Sequence, residues 1–393
     1  MVFQARYDLV LRSRRTCLPG GAGPAAVCVT SGKIAAVLPY DAPAPAGADR
    51  DLGELALLPG LVDAHVHAGE PGHTEEEGFA QATGAAARRG ITTLIDLPVG
   101  SVAPTVSAAA LAARRDAAKG QCFADVGFWG AAVPGGEAGF AALHEAGVFG
   151  FACFLGDRGQ PRFPALASAE LEGVAGRVAE LGALLVVHSD DDAVPAVLDV
   201  ARRSGVRLHL PGVSSAAALP LIAAAKAEGV AVTVETAPGD LVRADADACA
   251  PVRSAADRDL LWEALGSGLI DFVASGHGAQ AGRLGLAQVW AEARARGWEL
   301  EQLVERMAAL PARFAALPHK GRIEVACDAD LVAFDPQAHQ PTAEPGAQEG
   351  GAPTGAVRDV YARGWLLGGK PHGGVLRRIG TVAPAPRGAA SPR

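Results

Sequence analysis

LPGLVDAHVHAGEPGHTEEEGF, at residues 58–79, joins a short apolar strand, two histidines and a Gly/Pro turn. Asp63, His65 and His67 alternate with apolar residues, and because a strand has a period of two, these three side chains point to the same side. Two imidazoles on one face at the end of a strand can hold a single metal ion, and Asp63 could orient one of them from behind. The alternative is a core strand whose two histidines have hydrogen-bond partners within the protein.

The residues that follow predict a β-α-β unit. Thr74 is a candidate N-cap, glutamates occupy the first turn, and Gly90 ends the predicted helix. ITTLIDLP, at residues 91–98, then reads as a buried strand. The histidine pair therefore lies at the carboxyl end of the first strand of the unit, where barrel enzymes place their active sites.

Composition limits the classes of protein to which the chain can belong. It has 393 residues, of which 49% are hydrophobic and 20% charged, so it can bury a large core. The net charge of −8 argues against nucleic acid as a partner. An apolar run long enough to span a membrane is missing, and so is the apolar core of a signal peptide. The six cysteines lack metal-site spacing, which favours a reducing, cytoplasmic location.

The pattern along the chain divides it into two parts. Short strands with Pro/Gly breaks occur near both ends, whereas strands and amphipathic helices alternate in the middle. Near-continuous apolar strands separated by helices indicate a parallel sheet covered on both faces. We therefore predict an α/β fold, a TIM-type (β/α)8 barrel with a small β-sandwich domain formed by both chain ends. The predicted boundaries are 1–57 plus 319–375 for the sandwich, 58–318 for the barrel and 376–393 for a disordered tail, with a mobile loop at 336–356.

Six segments carry a resemblance to a known family. They are PGLVDAHVHAGEPGHTEEEGF, GITTLIDLP, DVGFWGAAVPG, GVFGFACFL, VTVETAP and CAPVRSAADRDLLWEAL. Together they resemble allantoinases, within the cyclic amidohydrolases that include dihydroorotase and hydantoinase, and so the amidohydrolase superfamily. The resemblance covers nearly the whole chain. It implies a barrel with two metal ions at its mouth, a small cyclic amide as substrate, and a homo-oligomer.

The resemblance also implies which positions would hold those ions. Three of the implied ligands are present as histidine, namely His65, His67 and His188. Three others are not, since Ala152 stands where the family has a carbamylated lysine, Gly212 where it has a histidine, and Gly276 where it has an aspartate. Gly239 stands at a further family histidine, and Gly100 lies where the family carries a polar asparagine. With Asp63, we expect Gly100 and Gly239 to line the substrate pocket.

Our main hypothesis is therefore a divergent or non-catalytic member of the family, with a degenerate metal site. The missing lysine carbamate is the anion that bridges two cations in the family, and the missing aspartate is its expected general base, a group that contributes about 10²–10⁴-fold to rate. On this hypothesis the chain is a pseudoenzyme, which serves as a scaffold, a partner subunit or a binding protein for a larger ligand. Small residues at the replaced positions either widen the cavity or reflect a chain rich in alanine and glycine.

The alternative hypothesis is an active enzyme with one zinc ion or none. Three histidines and a water are a known catalytic zinc site, and such a site could hydrolyse, or close, the C–N bond of a cyclic amide or ureide. Asp190 and His277 are weak candidates for the catalytic base. Their other interpretations are a solvated helix start for Asp190 and a loop residue facing water for His277. We interpret His209 as structural, since on a strand it should face away from Gly212.

Overall fold

The structure is a computed structural model, and it describes residues 7–72, 78–99, 104–156, 163–242, 254–276, 285–339 and 355–378. In chain order the strands are β1 (Tyr7–Leu18), β2 (Gly21–Thr30), β3 (Lys33–Pro39), β4 (Ala46–Asp51), β5 (Ala56–Pro59), β6 (Leu61–Val66), β7 (Ile91–Asp96), β8 (Asp125–Phe128), β9 (Gly130–Ala131), β10 (Phe151–Phe154), β11 (Leu184–His188), β12 (Arg207–Leu210), β13 (Val232–Thr236), β14 (Phe272–Val273), β15 (Leu331–Asp335), β16 (Ala356–Ala362) and β17 (Trp365–Leu366).

The helices lie mostly between the strands of the middle part. They are α1 (Phe79–Ala87), α2 (Ala108–Ala118), α3 (Phe140–Glu145), α4 (Leu171–Glu180), α5 (Val194–Ser204), α6 (Leu219–Ala227), α7 (Pro238–Leu241), α8 (Ala255–Ser267), α9 (Leu286–Ala295), α10 (Leu300–Val304) and α11 (Leu310–Phe314). Helix α8 shows how local sequence sets the bounds: the Ser254 side chain accepts the N–H of Asp257, and Gly268 ends the helix with a left-handed backbone. The predicted N-cap of α1, Thr74, lies outside the described residues, and α1 begins at Phe79.

Strands from both ends of the chain pair in one sheet, whereas the sequence predicted a β-sandwich built from both ends. Its order is β17-β16-β15-β5-β1-β2-β3, and β4 pairs with β1. Alternation along the strands buries both faces: Leu9 and Leu11 belong to one apolar cluster, whereas Val10 belongs to a second cluster. The domain boundaries themselves stay predictions.

The middle part is an α/β unit of parallel strands, which confirms the predicted class. The strands follow chain order in two runs, β6-β7-β8 and β9-β10-β11-β12-β13-β14. Trp129 alone separates β8 from β9, and its backbone N–H donates to Asp96 at 3.0 Å. Within the described ranges β14 and β6 share no strand pairing, so the closed ring of a TIM barrel is not seen as one continuous ladder.

Alternation within the parallel strands separates an inner from an outer core. On β10 and β11, Ala152 and Val186 belong to the inner cluster, whereas Cys153 and Val187 pack outwards with the helices. Polar residues of the same strands alternate in the same way. On β13, Val232 and Val234 face outwards, so Thr233 and Glu235 face inwards. By the same alternation the inward-facing side chains of β11 and β12 include His188 and His209, and these polar side chains lie above the inner core.

A buried cluster of charges joins the sheet to the amino-terminal side of the parallel strands. The Lys320 ammonium lies 2.6 Å from carboxylate oxygens of both Asp125 and Asp330 and 2.9 Å from Asp328. Arg363 also donates to Asp125, at 2.6 Å. The three aspartates bring ligand atoms within 4.8 Å of one another, but three cations already pair with them, since Lys320 contacts all three, Arg363 contacts Asp125 and Lys33 contacts Asp328.

The described chain ends against the parallel strands. Leu376 donates its backbone N–H to Val126 at 2.8 Å, and Arg378 donates to Gly147 at 3.2 Å. The rest of the predicted tail, at 379–393, lies outside the described residues, as does 340–354 within the predicted mobile loop. A search of the described helices for one long and apolar enough to cross a membrane found none.

Candidate active site at the carboxyl ends of the parallel strands

His65 and Glu235 form the central pair of the site. His65, near the end of β6, places its Nδ1 in hydrogen-bond contact with Oε1 of Glu235, near the end of β13. The Glu235 side chain is only 2% exposed. Burial alone would raise the pKa of Glu235, but the charges and hydrogen bonds of His65 and His209 outweigh it and lower that pKa to about 2. Glu235 is therefore a buried carboxylate anion. Burial lowers the pKa of His65, and the nearby Glu235 charge reverses the shift, so that it is raised overall.

The three predicted metal-binding histidines converge. The His65 ring centroid lies 5.3 Å from that of His67 and 5.0 Å from that of His188, and both contacts are edge-on. His188 ends β11 and stacks on Phe154, with ring centroids 4.2 Å apart and planes at 15°. Strand ends that are far apart in sequence thus bring three imidazoles to one place.

His209 lies deeper in the fold than Glu235 and contacts its carboxylate. Its Nε2 lies 3.2 Å from Oε2 of Glu235, and its Nδ1 lies 2.9 Å from the Thr233 hydroxyl. The His209 ring is parallel to that of Phe272, with ring centroids 5.4 Å apart, and it contacts Phe314 at 4.4 Å. A histidine interpreted as merely structural is therefore part of the polar layer beneath the site.

Asp63 binds backbone groups. Its Oδ1 accepts the backbone N–H of His65 at 3.1 Å, and both of its oxygens accept the backbone N–H of Ser275, at 3.2 and 3.3 Å. Burial raises the pKa of Asp63, and the hydrogen bonds from Ser275 oppose that shift. The carboxylate thus fixes the backbone on either side of the site, and its place in a substrate pocket stays a prediction.

The loop after the histidine pair is held by a second buried ion pair. Asp96, which ends β7, accepts the backbone N–H of Ala68 at 2.8 Å and pairs with the Arg114 guanidinium. Arg114 also donates to the carbonyl oxygen of Leu97 at 3.1 Å. Burial raises the pKa of Asp96 to about 6, against the opposing effect of the Arg114 charge.

The positions without a family ligand are distributed around the same end of the strands. Ala152 is fully buried in β10. Gly212 and Gly276 have a left-handed backbone, with φ of +63° and +60°, whereas Gly239 does not.

Asp190 is exposed, at the start of the turn Asp191–Ala193. Two predicted residues, Gly100 and His277, lie outside the described residues.

Sequence reasoning missed Glu235 as a site residue. The signal was available, because a glutamate within the apolar strand VTVET faces inwards by the pleat, and charged side chains are rarely buried without a partner. Trp129 was also missed: its indole N–H donates to the carbonyl oxygen of Ala64, between Asp63 and His65, at 3.0 Å.

The donors fit a single zinc ion in kind. Three imidazoles, one of them bonded to a carboxylate through its other nitrogen, form a typical zinc set. Their spacing is wider than a bound ion requires. Across the described ranges, only Asp125, Asp328 and Asp330 bring three ligand atoms within 4.8 Å of one another. The nitrogens of His65, His67 and His188 are therefore further apart than this, and the rings must turn towards each other to share an ion.

Comparisons with known proteins agree with the resemblance. The profile of the Amidohydrolase family matches residues 56–367. An allantoinase of Streptomyces avermitilis is 41% identical, over 91% of this chain and 94% of that protein. A mitochondrial allantoinase of Aquarana catesbeiana is 31% identical, over 78% of this chain and 76% of that protein. Among solved structures, the L-hydantoinase (dihydropyrimidinase) from Arthrobacter aurescens has a TM-score of 0.84 at 25% identity, covering 95% of this chain and 100% of that chain.

These similarities correct our main hypothesis. The interpretation as a non-catalytic pseudoenzyme is wrong, because similarity to allantoinases over nearly the whole length supports an active cyclic amidohydrolase. The hypothesis inferred loss of activity from three replaced side chains. It did not count the buried Glu235 carboxylate, which contacts His65. The chain belongs to the amidohydrolase family.

Proposed function

We propose that this protein hydrolyses the ring amide bond of a small cyclic ureide or amide, of the allantoin and hydantoin kind, or closes such a ring in reverse. The observation that carries the proposal is the convergence of His65, His67 and His188 at one end of the parallel strands. The 41% identity to an allantoinase supports the choice of substrate class.

Each side chain has a role that its contacts support. One zinc ion held by His65, His67 and His188 would supply a water of lowered pKa and a Lewis acid for the ring carbonyl. Glu235 keeps His65 oriented, and Phe154 keeps the ring plane of His188. Asp190, which is exposed two residues beyond His188, is our candidate for the group that would take up a proton during hydrolysis.

We also infer that the parallel strands β6 to β14 close into a barrel of eight, with β8 and β9 counted as one strand interrupted at Trp129. The contact between Ser275, which follows β14, and Asp63 in β6 joins the last strand to the first without a ladder. Closure gives all the strand ends a common mouth, which a site built from β6, β11 and β13 needs.

The test is turnover together with metal content. Purified protein, as isolated and after zinc loading, is assayed with allantoin, a 5-substituted hydantoin and dihydroorotate, while zinc is counted by elemental mass spectrometry. We expect turnover of at least one substrate, and near-complete loss of it in His65→Ala and His188→Ala. His319→Ala, at an exposed histidine, is the matched control and should retain activity. Failure to open any of these rings with the site loaded would refute the proposal, whereas turnover without metal would retain the hydrolase and exclude the zinc.

A further inference from the structure

Four polar side chains form a continuous hydrogen-bonded row beneath the site. From the mouth inwards they are His65, Glu235, His209 and Thr233. Glu235 and His209 are each 2% exposed, and the Phe272 and Phe314 rings flank His209. Solvent therefore does not compete for these hydrogen bonds, and the partners must satisfy one another.

The direction of each hydrogen bond follows from counting donors. The Thr233 hydroxyl donates its single proton to the carbonyl oxygen of Leu208, at 3.3 Å. The Nδ1 of His209 lies 2.9 Å from the same hydroxyl oxygen. The Nε2 of His209 faces Oε2 of Glu235, and because a carboxylate anion only accepts, this Nε2 carries a proton and donates.

Counting donors and acceptors in the same way shows which ring nitrogen of His65 carries a proton. Its Nδ1 faces Oε1 of the same carboxylate, so Nδ1 carries a proton and Nε2 is left to face the site. A histidine that binds a metal, or takes a proton from water, acts through the nitrogen that its carboxylate partner leaves open.

We propose that Glu235 is the positioning residue of this site, which holds His65 as the Nδ1–H form with Nε2 open, and that His209 and Thr233 hold Glu235 in place. The effect on turnover rests on the proposed function, whereas the protonation pattern does not. In a site where Ala152 and Gly276 provide no carboxylate or carbamate, Glu235 is also the buried anion that contacts the histidine cluster directly.

The test reads protons on ring nitrogens directly. Protein labelled with ¹⁵N-histidine is examined by long-range ¹H–¹⁵N correlation at neutral pH, and His65 and His209 are assigned by substitution. We expect a proton on Nδ1 of His65 and on Nε2 of His209, the two nitrogens that face Glu235. A wild-type His65 without a proton on Nδ1, or a His209 without one on Nε2, would overturn the proposal. The readout is made on the wild-type protein and needs no turnover.

Glu235→Gln is the informative variant. Glutamine replaces one of the two carboxylate oxygens with an NH2 group that only donates, so the histidine that faces this group must lose the ring proton that faces residue 235. We expect that loss in the spectrum and a fall of about 10–100-fold in zinc affinity or kcat, with a smaller change in KM. Unchanged ring nitrogens in a folded Glu235→Gln protein would contradict the proposal. Glu172→Gln, at an exposed glutamate, is the control and should change neither readout.

Thr233 offers a second, milder test. Thr233→Val removes the hydroxyl that the Nδ1 of His209 contacts, whereas Thr233→Ser keeps it. We expect the valine variant to shift the His209 ring signals and lower kcat, and the serine variant to restore both. Equal behaviour of the two variants would count against a role for Thr233 in holding His209. Absent turnover with the expected wild-type spectrum would refute the proposed hydrolase and leave the positioning role supported.

Discussion

The backbone N–H of Ser275 donates to both carboxylate oxygens of Asp63, at 3.2 and 3.3 Å. Ser275 follows the last of the parallel strands and Asp63 lies in the first, 212 residues earlier. The same carboxylate accepts the backbone N–H of His65. One buried side chain thus connects the two ends of the parallel strands at the point where the histidine cluster begins.

Asp63→Ala should therefore loosen both strand ends. The change leaves the partly buried N–H groups of Ser275 and His65 without this acceptor, at a cost of about 1 kcal/mol for each. We expect a lower free energy of unfolding by denaturant and faster hydrogen exchange at these two amides. Asp63→Asn keeps one carbonyl oxygen and should cost less. Unchanged exchange at Ser275 in the alanine variant would show that the contact does not hold the strands together.

Backbone conformation distinguishes three glycines around the site. Gly212, Gly239 and Gly276 would each find open space around an added Cβ, but only Gly212 and Gly276 have a positive φ. We expect Gly212→Ala and Gly276→Ala to destabilise the fold by about 1–2 kcal/mol, because a left-handed backbone strains an L-residue. Gly239→Ala, with equal space and no such strain, is the matched control and should be neutral or stabilising in thermal unfolding. Equal effects at all three positions would refute this explanation.

The sequence predicts features that depend on neighbouring residues better than contacts between residues far apart in the chain. Alternation within single strands predicted the α/β class, the short strands near both ends, and the shared face of His65 and His67, since these are local properties of the chain. The contact of Glu235 with His65 joins residues 170 apart, and no spacing rule reports such a pair.

The positions without a family ligand also show what the sequence alone does not reveal. Gly212 and Gly276 have no side chain that could bind a metal, as the sequence alone shows, but the positive φ at both is a property of the folded loop. The hypothesis of lost activity counted side chains position by position. It could not include the inward-facing row beneath the histidines, which exists only when β12 and β13 pair.

Asp240 provides a test by pH. Burial raises the pKa of Asp240 to about 7, although the N–H of Ala237 and the Thr236 side chain oppose that shift. Between its ordinary value near 4 and pH 7, the native state therefore holds more protons on Asp240 than the unfolded state, and this contribution to stability falls as the pH rises. We expect Asp240→Asn to gain stability relative to wild type on going from pH 5 to pH 8, by on the order of 2–4 kcal/mol. Urea midpoints at the two values measure this, and a pH-independent difference would contradict it.

The buried Lys320 cluster predicts the largest change in stability. Lys320 is 4% exposed and lies within 2.6–2.9 Å of Asp125, Asp328 and Asp330. Lys320→Met leaves these carboxylates without their central cation, which should cost about 3–5 kcal/mol at neutral pH. Because Lys320 lowers the pKa values of Asp328 and Asp330, these rise in the variant, so the deficit should shrink as the pH falls towards 5.

Lys33 supplies the matched control for this change. Its ammonium pairs with the same Asp328 at 2.5 Å, but its side chain is 45% exposed. Solvent screens an exposed pair, so Lys33→Met should cost at most about 1 kcal/mol and show little dependence on pH. Denaturant unfolding of both variants at pH 5 and pH 8 separates the two cases. A Lys320→Met protein as stable as Lys33→Met at pH 8 would mean that the cluster does not hold the sheet against the parallel strands.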